Sequence, residues 1–118
     1  MKIDVTQEQG RTIVSLQGAI KLNESGHDFF NQIKDLFNED QTDIILIDMS
    51  LINYIDSTGI GELVGYILRL KTKGRRMALI NPQKTIMSLI KLSNLDKVVP
   101  IFPTKEEAFQ SLSGNADL

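Results

Sequence analysis

Asp56, Ser57 and Thr58 stand side by side between Ile55 and Gly59, within the stretch INYIDSTGIGELVGY that spans residues 52–66. A carboxylate followed by two hydroxyls can serve several chemistries. Short oxygen-bearing side chains cap helices, because they accept hydrogen bonds from the free N–H groups of the first turn. A hydroxyl becomes a nucleophile when a base takes its proton. A phosphate is also well placed there, since a helix N-terminus presents N–H groups and the positive end of the dipole. One cap needs only one such side chain, yet three polar residues stand in a row.

The rest of the chain removes the catalytic option. A serine nucleophile needs a base, and the sole histidine, His27, lies in NESGHDFF at a polar helix start. The nucleophile elbow G-x-S-x-G fails because position 55 is Ile. No G-K-[ST] is present, which excludes a P-loop. There is no cysteine, and so no disulfide, thiolate metal site or cysteine nucleophile. A receiver domain with Asp48 as phospho-acceptor would need an acidic pair after its first strand. The nearest turns read TQEQG and QGAIK instead. No cofactor and no metal site is expected.

The 118 residues suit one domain, with a core large enough to fold without staples. Net charge is −2, from 13 basic and 15 acidic residues, which argues against nucleic acid as a partner. Arg69, Lys71, Lys73, Arg75 and Arg76 form a local basic run, read as cations at a helix C-terminus that complement its dipole. MKIDVTQEQG lacks the features of a signal peptide. The longest apolar runs fall far short of the ~20 residues that a spanning helix needs. A cytoplasmic protein without membrane insertion is expected.

The elements that must position Asp56–Gly59 follow from periodicity. IDVTQEQGRTIVSLQG alternates on both sides of Gly10, predicting two strands with a tight connection, the second ended by Gly18. Phe29, Phe30, Ile33, Leu36 and Phe37 form a helical stripe, capped by Asn23 or by Ser25 with Asp28. Ile44–Ile47 is apolar at every position and ends at Asp48, the mark of a central strand covered on both faces. Ile60, Leu63, Val64, Ile67 and Leu68 match a helix beginning near Ser57, with Gly74 as its C′ residue. Gly59, Gly61 and Gly65 weaken that helix, which close packing on the sheet would explain. RMALI is the next strand. NPQKTIMSLIKL is a helix with Asn81 as cap and Pro82 at its first position. VVPIF is a short strand, and TKEEAFQSL a last helix opened by Thr104 and Glu107. SGNADL lacks apolar periodicity and reads as a frayed tail. The order β-β-α-β-α-β-α-β-α predicts an α/β fold: a mixed, mostly parallel sheet of about five strands with about four helices. Functional loops of such folds lie at the carboxyl ends of the strands.

LINYIDSTGIGELVG resembles the signature of the STAS domain, shared by sulphate transporters and anti-sigma factor antagonists. The likeness covers about residues 2–112, including KTKGRRMALINP and LIKLSNLDKVVPIF, and implies one STAS domain over 1–112 with a tail at 113–118. The resemblance implies an anti-anti-sigma factor: a binding module rather than an enzyme. In that family the serine after the aspartate, here Ser57, is the phospho-acceptor. The unphosphorylated protein sequesters a partner that is both anti-sigma factor and serine kinase; phosphorylation ends binding and a phosphatase restores it. The partner-facing surface is expected to combine Lys21, Leu22 and Asn23 after the second strand with Asp56, Ser57, Thr58 and Gly59, in a monomer. Family members often carry Gly-Glu-Leu-Asp after that strand, where this chain reads Gly18, Ala19, Ile20, Lys21. The alternative is a constitutive STAS adaptor of a stress-signalling or lipid-transport complex, with Ser57 only a cap.

Overall fold

The computed structural model describes residues 2–20, 35 and 43–113. Lys21, Leu22 and Asn23, the helix expected around Phe29–Phe37 apart from Asp35, and the tail from 114 lie outside the described residues. In chain order the elements are β1 (Lys2–Glu8), β2 (Arg11–Ile20), β3 (Ile44–Ile55), α1 (Ser57–Thr72), β4 (Arg76–Ile80), α2 (Lys84–Leu92), a 3-10 turn (Leu95–Lys97), β5 (Ile101–Phe102) and α3 (Lys105–Ser113). The described residues thus contain five strands and three α-helices.

The five strands form one sheet in the order β1-β2-β3-β4-β5. β1 pairs with β2 antiparallel, and the other three pairs are parallel. The opening hairpin closes through Gln9 and Gly10, with φ of 52° and 74°. Two successive positive φ angles match the right-handed twist of the flanking strands. The parallel pairs need helical crossovers, and right-handed ones put α1 and α2 on one face.

That rule accounts for the continuous apolar run of β3. Ile45 and Ile47 join the core beneath α1 and α2, with Leu63, Ile67, Ile86 and Ile90. Ile44 and Leu46 point the other way, into a second core with Ile13, Ala78, Ile80 and the α3 residues Ala108, Phe109 and Leu112. Alternate residues of one strand therefore serve two cores.

The expected boundaries need four corrections. β3 does not end at Asp48 but continues to Ile55. β2 does not stop at Gly18; that residue, at φ 120°, lies where the β2/β3 register shifts, and the strand runs on to Ile20. The helix after Asn81 starts only at Lys84, with Gln83 as an N-cap lacking a side-chain hydrogen bond and Asn81 left-handed at φ 53°. VVPIF contributes only Ile101 and Phe102 as strand, because Pro100 has no N–H to give a ladder and Leu95–Lys97 coils just before it.

Other expectations hold. Thr104 Oγ1 accepts the Glu107 N–H at 3.1 Å at the start of α3. Gly74 ends α1 at φ 72°, with its N–H on Lys71 O at 3.1 Å and the Arg75 N–H on Leu70 O at 2.8 Å. These are the paired bonds of a Schellman ending, which demands a left-handed residue. Gly74→Ala should therefore cost about 1–2 kcal/mol in urea unfolding, and Gly74→Asn less, because Asn tolerates that conformation better.

Candidate functional site

The site grows from the way β3 passes into α1. Apolar residues of β3 that join the α1/α2 core are Ile45, Ile47, Met49, Ile52 and Ile55. The spacing is two residues at first and three afterwards. Each step of three coincides with a register shift against β2, one after Ser15↔Asp48 and one after Gly18↔Ile52. Each shift inserts an extra residue in β3, which resets the side-chain phase and keeps the next isoleucine in the core. The first is supported by the Ser50 N–H, which donates to Asp48 Oδ1 at 2.9 Å. An apolar spacing of 45, 47, 49, 52, 55 was legible in the sequence and is the signal that the strand continues past Asp48.

β3 consequently leads almost directly into α1. A single residue, Asp56, joins strand to helix, with extended backbone at φ −105° and ψ 179°. Its Oδ1 accepts the Gly59 N–H at 2.8 Å. Its backbone N–H donates to Ile20 O at 3.2 Å, and its carbonyl accepts the Ile60 N–H at 3.0 Å. Asp56 is thus the N-cap, and it ties the ends of β2 and β3 to the first turn of α1.

With the cap filled by Asp56, Ser57 and Thr58 occupy the first two helical positions and are both exposed. Gly59 is buried. A Cβ there would lie 2.6 Å from Ile20 O and 2.8 Å from Ile20 Cγ2. Among the described residues, the close packing expected of the three glycines holds only for this one: a Cβ at Gly61 or Gly65 would meet none of their atoms within 4 Å. Ile60 is half-buried and packs against the core. Lys21, Leu22 and Asn23 lie outside the described residues, but Ile20, immediately before Lys21, touches the Asp56–Gly59 turn through both its carbonyl and its side chain.

Among the described residues, no cluster of three or more His, Asp or Glu is placed to hold a metal. A cavity of about 220 Å³ lies at the carboxyl end of β4, beside the middle of β3, lined by residues that include Asp48, Ser50, Asn81, Thr104 and Lys105. Lys105 Nζ meets Glu8 Oε2 at 2.9 Å, and this hydrogen bond, followed by the Glu8 charge, raises the lysine pKa. On α1, burial first and the Glu62 carboxylate second push the Tyr66 phenol above its ordinary value, against the pull of Arg69. The Arg69 guanidinium carbon stands 5.7 Å from the ring centroid. Among the described residues no helix is long and apolar enough to cross a membrane.

The STAS domain model matches residues 2–108. The chain belongs to the STAS domain family. It is 29% identical over 103 residues to a Thermotoga neapolitana protein provisionally named as an anti-sigma factor antagonist, covering 86% of this chain and 91% of that one. An anti-sigma factor antagonist from Mycobacterium paratuberculosis has the same fold at TM-score 0.81 and 20% identity, over 95% of this chain and 93% of that one. The Bacillus cell fate determinant SpoIIAA in its phosphorylated form superposes at TM-score 0.68 and 18% identity, over 94% and 99% of the two chains. Within the STAS frame, the Asp56–Gly59 turn occupies the C-terminal end of a central strand, the position at which open α/β sheets place their functional groups.

Gly59→Ala should lower stability by about 1–3 kcal/mol in urea unfolding, because its methyl group collides with a backbone carbonyl that cannot move freely. Gly61→Ala and Gly65→Ala should instead raise it by about 0.5–1 kcal/mol each, through helix propensity alone. Asp56→Ala should cost about 1 kcal/mol as the cap is lost, and Asp56→Asn much less, since Asn caps comparably.

Proposed function

We propose that this protein is an anti-anti-sigma factor, a binding module that sequesters an anti-sigma factor with serine-kinase activity while Ser57 is unphosphorylated. The observation that carries the reading is the division of labour at the turn: Asp56 makes the cap hydrogen bond, and Ser57 beside it is exposed. A serine that is not needed to hold the helix is available as a substrate. The names of the relatives support the class of partner, and the phosphorylated form of SpoIIAA supports a phosphate on this fold.

The physical effect of phosphate at Ser57 follows from its neighbours. It adds about −1.5 to −2 charges next to the Asp56 carboxylate. The first turn of α1 accommodates an anion, because the dipole and N–H groups favour negative charge there. The fold is therefore retained while the surface becomes more negative and gains a bound hydration shell. A partner face made for the neutral hydroxyl must then desolvate that charge, which ends binding until a phosphatase removes it. In this reading the protein is the substrate of a kinase and catalyses nothing itself.

The competing reading, a constitutive STAS adaptor in which Ser57 only caps α1, loses its structural role for Ser57 because Asp56 is the cap. Calorimetric titration against the purified anti-sigma factor kinase separates the two. Ser57→Ala should bind as tightly as the wild type and stay bound in the presence of ATP. Ser57→Asp should bind tenfold more weakly or worse, about 1.4 kcal/mol. Equal affinity of wild type, Ser57→Ala and Ser57→Asp, with no phosphate on Ser57 by intact mass after incubation with kinase and ATP, would sink the switch.

A further inference from the structure

β1 is the outer strand of the sheet. Among the described residues it pairs with β2 alone, and its other edge meets no strand. Five of its seven residues are exposed, so that edge is open to solvent. Proline, bulges and covering segments keep other edge strands from pairing with a further chain. β1 has no proline and no register shift against β2. Its charges remain, and their order is informative: Lys2, Asp4 and Glu8.

The hairpin decides which backbone groups of β1 point outward. Its two-residue turn, Gln9 and Gly10, is closed by the pair Glu8↔Arg11. The closing pair of such a turn is hydrogen-bonded, and hydrogen-bonded pairs alternate from there along an antiparallel ladder. Lys2, Asp4, Thr6 and Glu8 therefore direct their N–H and C=O groups to β2. Those of Ile3, Val5 and Gln7 point away from the sheet. The side chains divide between the two faces. Glu8 reaches Lys105 of α3, so Lys2, Asp4, Thr6 and Glu8 lie on the α3 face. Ile3 packs against the core under α1 and α2, and Val5 on the same face is 46% exposed.

We propose that this edge is an interface with a second copy of the same chain, whose β1 pairs antiparallel to this one about Val5. A two-fold axis normal to the sheet makes the two edges antiparallel and every contact reciprocal. An outward residue bonds only to an outward residue, so odd positions pair with odd and even with even. One such register alone pairs all seven residues. It sets Val5 opposite Val5, Ile3 opposite Gln7, Asp4 opposite Thr6 and Lys2 opposite Glu8. Every outward N–H and C=O of Ile3, Val5 and Gln7 is then bonded across the edge, the means by which an added strand gains affinity. Moving one strand by two residues in either direction leaves fewer pairs. It also sets Asp4 against Asp4, or Asp4 against Glu8, and like charges directly opposite destabilise a pair. The charge order of β1 thus fits a copy of itself in the one register that uses the whole strand. Lys105 engages Oε2 of Glu8, and Oε1 accepts from Lys2 of the second copy. Val5 is covered by its symmetry mate, and two five-stranded sheets become one. Ser57 follows β3, two strands in from this edge, and the inference does not depend on its role.

Sedimentation equilibrium of the full chain tests the pairing. At about 0.5 mM, enough to reveal a complex with a Kd of about 0.1 mM, the wild type should approach twice its 13.2 kDa mass. Lys2→Glu and Glu8→Lys should each raise the dissociation constant tenfold or more, because each sets like charges together at both ends of the pairing. An equimolar mixture of these two variants should recover wild-type association, because the mixed pair again sets opposite charges at both ends. Val5→Pro should abolish association, since it removes an outward N–H and none that β2 uses. In dilute solution the thermal unfolding of both charge variants should stay close to that of the wild type, which separates lost pairing from lost folding. A wild type that remains a monomer at this concentration overturns the interface. So does a dimer that survives Val5→Pro or both charge variants, because a different surface then holds it. Two monomeric charge variants whose mixture stays monomeric overturn the pairing of Lys2 with Glu8, and the register with it.

Discussion

Asp56 is held to three other residues at once. Its side chain takes the Gly59 N–H, its carbonyl the Ile60 N–H, and its own N–H reaches Ile20 O. These bonds fasten the end of β2, the end of β3 and the first turn of α1 to each other. Gly59 completes the arrangement, since any side chain there would strike the Ile20 carbonyl. The helix can approach β2 this closely only because position 59 has no Cβ. Both neighbours of Ser57 and Thr58 in the chain are thus fixed, and the two hydroxyl residues are presented outward on a rigid base.

That rigidity bears on how a small modification can control binding. A phosphate on a flexible loop would be averaged over many positions. On the first turn of a helix anchored to a central strand, it has one place to go. The dipole of α1 favours the charge, which limits any cost to the fold. A partner gains no such compensation when it must bury the same charge. The proposed switch at Ser57 rests on this asymmetry between tolerance by the protein and rejection by the partner.

β3 shows how an apparent irregularity in a strand can serve more than one purpose. A regular strand continued past Asp48 would turn every second residue to the same face. The two inserted residues break that alternation, so Ile52 and Ile55 reach the core that anchors α1. The same phase change leaves Leu51 and Tyr54 facing outward on the other side. Core formation under α1 and the outward exposure of Leu51 and Tyr54 are therefore two results of one backbone feature.

Much of this was legible from the chain itself. The apolar run Ile44–Ile47 determined a strand buried on both faces, because no solvent-facing strand is apolar at every position. The stripe from Ile60 to Leu68 determined α1, and Gly74 its ending, because only a residue at ease with positive φ closes a helix in that way. The D-S-T-G motif marked the candidate site. Tertiary structure decided what these local signals could not. Which of Asp56, Ser57 and Thr58 caps α1 depends on where β2 ends, since all three can cap and only Asp56 is also held by Ile20. Why Gly59 must be glycine while Gly61 and Gly65 need not be depends on the distance to a strand nearly forty positions earlier. The exposure of Leu51 and Tyr54 depends on how far β4 runs beside β3, a length set by the turn at Asn81. Local sequence encodes dihedral preference and hydrophobic period; contacts between segments remote along the chain arise only when the sheet is assembled.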